Sequence, residues 1–134
     1  MKKIIILVLM LFFITGCTTN DMENNSKVKN KMISVEEVNA IINDYDNVKD
    51  TFIIDVREQG EYVEGHLNNS INIPVGSIST IGDAEGITKN SKIIVYCRSG
   101  NRSSTAKENL ESMGYTNVYD MGGILNWPYD IVGE

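Results

Sequence analysis

Histidine and cysteine are scarce in this chain. Its 134 residues contain one His, His66, and two Cys, Cys17 and Cys97. A structural zinc site takes four Cys or His ligands, so the sequence cannot assemble one. No metal and no other cofactor is expected. Positive charge is also short: 12 Lys and Arg stand against 18 Asp and Glu, a net of −6. A nucleic-acid partner would require a basic face, and electrostatic docking on anionic lipid would require a basic cluster. Both are excluded. The chain has one long apolar run, residues 4–14, IIILVLMLFFI. It falls well short of the roughly 20 residues needed to cross a bilayer.

What surrounds that run gives it a meaning. Lys2 and Lys3 precede it and small residues follow, the layout of a signal peptide with a positive start and a short apolar centre. The alternative, a short membrane anchor extended by Thr15 and Gly16, is disfavoured by length. Ile14-Thr15-Gly16-Cys17 resembles the lipobox of bacterial lipoproteins. That resemblance implies cleavage before Cys17 and attachment of diacylglycerol and palmitate-type chains to it. Two or more chains hold a protein on a membrane where one is marginal. The expected organisation is a signal peptide over 1–16, lipidated Cys17 with a polar tether over 17–31, and a single domain over 32–134. The expected location is the bacterial cell membrane, with the domain on the extracytoplasmic side. Loss of Lys2 and Lys3 removes two positive charges, so the net becomes −8. Acylated Cys17 cannot form a disulfide, which leaves Cys97 as a lone thiol that calls for an explanation.

The tether TTNDMENNSKVKNKM, 18–32, shows no apolar period and as a coil would reach about 20 Å. Ser34–Asp44 reads as a helix, with Ser34 and Glu37 in a capping box and Val35, Val38, Ile41 and Ile42 on one face. TFIIDV, 51–56, and KIIVY, 92–96, are continuous apolar runs of the kind buried on both faces of a parallel sheet. Between them, 57–67 reads as a short helix and turn, 71–74 as a short strand closed by Pro74, and 75–90 as a helical turn and a loop. Ser103–Met113 carries Ala106, Leu110 and Met113 as a helical stripe, with Gly114 at the C′ position. NVYDM, 117–121, is a last strand, followed by a Gly122-Gly123 turn. Strands alternating with helices predict an α/β layer fold with a mostly parallel sheet.

Cys97 then falls at the carboxyl end of a central strand, where open α/β sheets place their sites. A helix begins around Arg102 or Ser103, and its free N–H groups favour an anion. Gly100 permits positive φ, which lets a short loop turn successive N–H groups inward. Arg98 and Arg102 bring cations to the rim. All three features favour thiolate over thiol. An inert, buried cysteine is the competing reading, but the residues after Cys97 are polar, charged and flexible.

Cys97-Arg98-Ser99-Gly100-Asn101-Arg102-Ser103 resembles the active-site loop of rhodanese-like domains. Asp55-Val56-Arg57-Glu58, Gly65-His66-Leu67 with Ile71-Asn72-Ile73-Pro74, and Gly122-Gly123 with Trp127 match the family's other motifs, in order, over about residues 33–128. The resemblance implies the family's three-layer fold, a central sheet of about five strands with helices on both faces. It also implies sulfurtransferase activity: Cys97 takes sulfane sulfur from a small donor such as thiosulfate and passes it, as a persulfide, to cyanide or a thiol. Arg98, Ser99, Gly100, Asn101, Arg102 and Ser103 would bind substrate, Arg98 leaning toward thiosulfate over mercaptopyruvate. Asp55 and Arg57 are expected to pair and shape the site wall, with structural roles for His66 and Trp127. Glu58, Glu61 and Glu64 are expected to face solvent. One departure is Leu67-Asn68-Asn69-Ser70, where the family has a Pro-Gly-Ala type turn; Asn tolerates the left-handed conformation such a turn needs.

Other chemistries weigh less. Phosphatases and arsenate reductases of the same fold have five residues between Cys and Arg, whereas four separate Cys97 from Arg102. A non-catalytic sulfur-binding or persulfide-sensing module is a further alternative. Thiol redox chemistry wants a resolving cysteine, and none is available once Cys17 is acylated.

Overall fold

A computed structural model describes residues 31–133. The expected cleavage site, Cys17 and most of the tether lie outside the described residues. Four strands form one sheet: β1 (Thr51–Asp55), β2 (Ser70–Asn72), β3 (Lys92–Cys97) and β4 (Val118–Gly123). Their order is β2-β1-β3-β4, and all three pairings are parallel. Three α-helices accompany them: α1 (Val35–Asn43), α2 (Gln59–Glu64) and α3 (Asn101–Ser112).

The apolar runs serve both faces of the sheet, because successive side chains point to opposite sides. Ile54, Val56, Ile93 and Val95 face a core completed by Ala106 and Leu110 of α3 and by Ile78 and Ile81. Ile53, Ile94 and Tyr96 face the other way, toward Val38 of α1, Ile33, Leu67 and Met121. The result is the three-layer α/β arrangement, with β1 and β3 as its buried centre.

Local signals are realised where expected. The Ser34 hydroxyl accepts from the Glu37 N–H at 3.2 Å, and the Glu37 carboxylate accepts from the Ser34 N–H at 3.2 Å. Gly114 has φ +93°, and the Tyr115 N–H returns to the Leu110 carbonyl at 3.1 Å, closing α3 through a left-handed C′ residue. Asn69 adopts φ +62°, so asparagine does supply the left-handed turn residue before β2.

Two expectations are revised, and the expected count of about five strands is closely met. Residues 75–83 form a 3-10 helix, Val75–Asp83, rather than one turn and a loop, and it buries Ile78 and Ile81. The sheet has four strands, and its fifth position is rudimentary: Lys31–Ile33 runs beside β4 with one parallel bridge, Met32 to Asp120. Gly122-Gly123 is not a turn but the end of β4. A bulge shifts the register so that Val95 faces Asp120 while Tyr96 faces Gly122. The extra residue there, with Gly122 at φ +90°, carries the strand end against the loop that follows β3.

Candidate active site

Cys97 ends β3 with 1% of its surface exposed, and its sulfur lies under the N-terminus of α3. The loop reverses at Gly100, φ +106° and the N-cap of that helix, so the helix begins at Asn101, slightly earlier than the sequence suggests. The Gly100 N–H donates to Cys97 Sγ at 3.0 Å. Sγ also lies 3.6 Å from Ser103 Oγ, and that hydroxyl donates to the Gly100 carbonyl at 3.0 Å.

Burial pushes the Cys97 thiol up. Hydrogen bonds from the Ser103 side chain and from the backbone N–H groups of Ser103, Gly100 and Ser99 outweigh it, and the net pKa lies below the ordinary thiol value. A sulfur so placed is poised as a nucleophile, since the thiolate and not the thiol attacks.

The strand end fixes this loop from outside. Gly123 pairs with Cys97, and a Cβ on it would sit 2.4 Å from the Arg98 carbonyl oxygen and 2.8 Å from Ser99 Cα. Only glycine permits that approach. The Leu125 N–H holds the same Arg98 carbonyl at 3.2 Å.

One of the two loop arginines does not sit as the sequence suggests. Arg102 is not a free cation at the rim: its guanidinium grips Glu61 of α2 through two bonds of 2.7 and 3.0 Å. Glu61 therefore does not simply face solvent with Glu58 and Glu64, which are exposed. Hydrogen bonding to Arg102 holds the Glu61 carboxyl down at about 2. Arg98 is exposed and makes no ion pair among the described residues. Ser99 and Asn101 are exposed too; Ser99 acts on the sulfur through its backbone, and the Asn101 side chain has no bond to it.

Behind the loop, Asp55 and Arg57 form a buried ion pair. Arg57 Nη2 lies 2.6 Å from Asp55 Oδ2 and its Nε 3.0 Å from Oδ1, while Nη2 also donates to the Gly65 carbonyl at 2.7 Å. This ties β1 to the end of α2. His66 stacks on Tyr62, with ring centroids 3.6 Å apart, and its Nδ1 is 2.7 Å from the Tyr62 carbonyl. Trp127 packs against the α1-side core, and its indole N–H reaches the Asp130 carbonyl at 3.2 Å. Neither ring contacts the sulfur. Sequence reasoning missed Glu61 and the spacing role of Gly123. No local signal marks Glu61, because 41 positions separate it from Arg102.

Comparison with known proteins agrees with this geometry. The family model described as a rhodanese-like domain matches residues 34–128. The chain is 39% identical over 71 residues to the thiosulfate sulfurtransferase PspE of Escherichia coli, covering 53% of this chain and 68% of that protein. It is 35% identical over 111 residues to the adenylyltransferase and sulfurtransferase uba4 of Ogataea parapolymorpha, covering 82% of this chain but only 26% of that longer protein. Related sequences also include tRNA uridine(34) hydroxylases, of which the chain spans 31%. Among solved structures, a rhodanese with anions from E. coli superposes with a TM-score of 0.58 at 36% identity, covering 63% of this chain and 99% of that one. With the family model matched over residues 34–128 and the fold in agreement, the chain belongs to the rhodanese-like domain family.

Proposed function

We propose that the protein is a sulfurtransferase that carries sulfane sulfur on Cys97. The observation that supports it best is the Gly100 N–H placed 3.0 Å from Sγ in a loop whose hydrogen bonds favour the thiolate. In the first half-reaction the Cys97 thiolate attacks the outer sulfur of thiosulfate. The S–S bond of the donor breaks, sulfite leaves with its electron pair, and a Cys97 persulfide anion remains. The amides that favour the thiolate favour this second anion, much as an oxyanion hole does. In the second half-reaction cyanide or a thiolate attacks the outer sulfur, thiocyanate or a new persulfide leaves, and the Cys97 thiolate is restored. A covalent intermediate shared by two half-reactions gives ping-pong kinetics.

A steady-state thiosulfate:cyanide assay on the protein and its Cys97→Ser variant tests this. Turnover with parallel double-reciprocal lines is expected, with loss of about 10³-fold or more in the variant. Retained turnover in Cys97→Ser would overturn the assignment. Electrospray mass measurement after thiosulfate treatment should show a gain of one sulfur. A stably retained sulfur without turnover would favour the carrier or sensing reading.

We further propose that Cys17 is acylated and holds the domain at the extracytoplasmic face of a bacterial membrane. The run 4–14 followed by Ile14-Thr15-Gly16-Cys17 supports it. Radiolabelled palmitate should label the protein expressed in a bacterial host, and Cys17→Ala should abolish both label and membrane fractionation. Labelling that survives Cys17→Ala would contradict it.

A further inference from the structure

The charges around the Cys97 loop are largely cancelled. Arg57 is paired with Asp55 inside the wall. Arg102 is paired with Glu61, and both side chains remain about one-third exposed, so a ligand arriving at the mouth meets the pair rather than a free guanidinium. Glu61 is held in place twice, since its Oε2 also accepts from the Glu58 N–H at 3.1 Å. With its carboxyl held at about 2, it stays charged at any pH near neutrality. Glu58, the N-cap of the short helix α2, and Glu64, its last residue, add exposed carboxylates. Among the described residues only Arg98 of the loop offers a cation without an ion-pair partner. Beyond the amides of the loop, a dianion such as thiosulfate meets one free cation here rather than two.

Beside Glu61 opens a groove of about 360 Å³, walled by Ile124, Leu125, Trp127, Tyr129 and Ile131 and shared with Arg57 and Glu61. Leu125 is 66% exposed and Ile131 50%, yet Leu125 is bonded through its N–H to the Arg98 carbonyl of the loop. The groove holds a ring-sized apolar group with room to spare, since benzene fills a cavity of about 150 Å³.

Resting on the sulfurtransferase reading, we propose that Glu61 is a specificity-determining residue: by neutralising Arg102 it weights the site toward monoanionic sulfane-sulfur donors with an apolar body, seated against Leu125, and away from the thiosulfate dianion. A donor R–SO2–S⁻ transfers its outer sulfur to Cys97 and leaves as the sulfinate R–SO2⁻, so the balance of the reaction is unchanged.

The test compares thiosulfate with benzenethiosulfonate at fixed cyanide. Glu61→Gln retains an acceptor for the Glu58 N–H but removes the charge. Its KM for thiosulfate should fall about fivefold or more, because one unpaired charge now acts on a dianion at short range. Its KM for benzenethiosulfonate should fall only about twofold, because a monoanion feels half of that interaction. The double variant E61Q/R102Q should lose the gain, and Leu125→Ser should raise KM for benzenethiosulfonate alone. Equal shifts for both donors, or no shift in E61Q, would sink the proposal. A separate arm needs no turnover: in the Cys97→Ser background, calorimetry should show E61Q binding thiosulfate more tightly. Unchanged binding there refutes the role of Glu61 even if the enzyme proves active. Tightened binding without wild-type turnover upholds the role of Glu61 in anion selection while refuting the sulfurtransferase reading.

Discussion

The Ser103 hydroxyl has one proton and two acceptors within reach, the Gly100 carbonyl at 3.0 Å and Cys97 Sγ at 3.6 Å. While Cys97 is a thiol, its S–H donates to Ser103 Oγ and the hydroxyl proton rests on the carbonyl. Once the sulfur ionises it needs donors, and rotation of the hydroxyl supplies one more beside the Gly100 amide. Ser103 is fully buried, so no water can replace it cheaply. Ser103→Ala should therefore make the thiol less acidic. The pH profile of iodoacetamide alkylation should move to higher pH, with the rate at pH 7 falling about tenfold, the scale of one hydrogen bond to a charged group. Ser103→Thr should retain most of the rate. A profile in Ser103→Ala that matches wild type would show that the amides act alone.

At the scale of elements, Tyr96 joins the sheet to the turn before β2. Its hydroxyl accepts from the buried Leu67 N–H at 3.1 Å and lies 3.1 Å from Ser70 Oγ. Burial first, then the Asp55 carboxylate, pushes the phenol well above its usual range, so it remains a neutral partner. Tyr96→Phe should cost about 1–3 kcal/mol in urea unfolding by orphaning the Leu67 N–H, whereas Tyr119→Phe, at a half-buried ring on β4, should cost much less. The contact of Tyr96 with Leu67 spans 29 positions and was not legible beforehand, whereas local features mostly were. The Ser34–Glu37 box, the Gly114 terminus and the continuous runs of β1 and β3 depend on residues a few positions apart. The placement of Cys97 at a strand end followed from the same signals. What could not be read depends on the assembled fold. Glu61 meets Arg102 only because α2 and the start of α3 come together at the same end of the sheet. Gly123 acts as a spacer only because a bulge carries β4 past its apparent end. The helix Val75–Asp83 lacks a 3.6-residue stripe, since its buried Ile78 and Ile81 follow the 3-10 period instead.

For the whole molecule, the sulfur and the fold are thermodynamically linked. Cys97 belongs to the core between the sheet and α3, and the donors that favour its thiolate come from a loop and helix end that exist only when that core is formed. Its folded pKa is lowered, while in the unfolded chain it titrates as an ordinary cysteine near about 8.5. Between those two values the unfolded state binds more protons, so stability must rise with pH across that window. The contribution is fully present above the unfolded pKa and is lost as pH falls through the folded one. One proton limits the slope to about 1.4 kcal/mol per pH unit. Glu61, depressed to about 2 from 4.5, acts in the same sense but only in acid: its contribution is present above 4.5 and lost as pH falls toward 2. For a pair this exposed it amounts to about 1 kcal/mol at most. The Glu61 window lies below 4.5, so urea unfolding from pH 6 to 10 isolates the cysteine when wild type is compared with Cys97→Ser. The difference in stability should grow in favour of wild type as pH rises and then level off. A difference that stays flat or runs the other way would mean that the amide cradle does not prefer the anion, and the sulfur-carrying role would lose its physical basis.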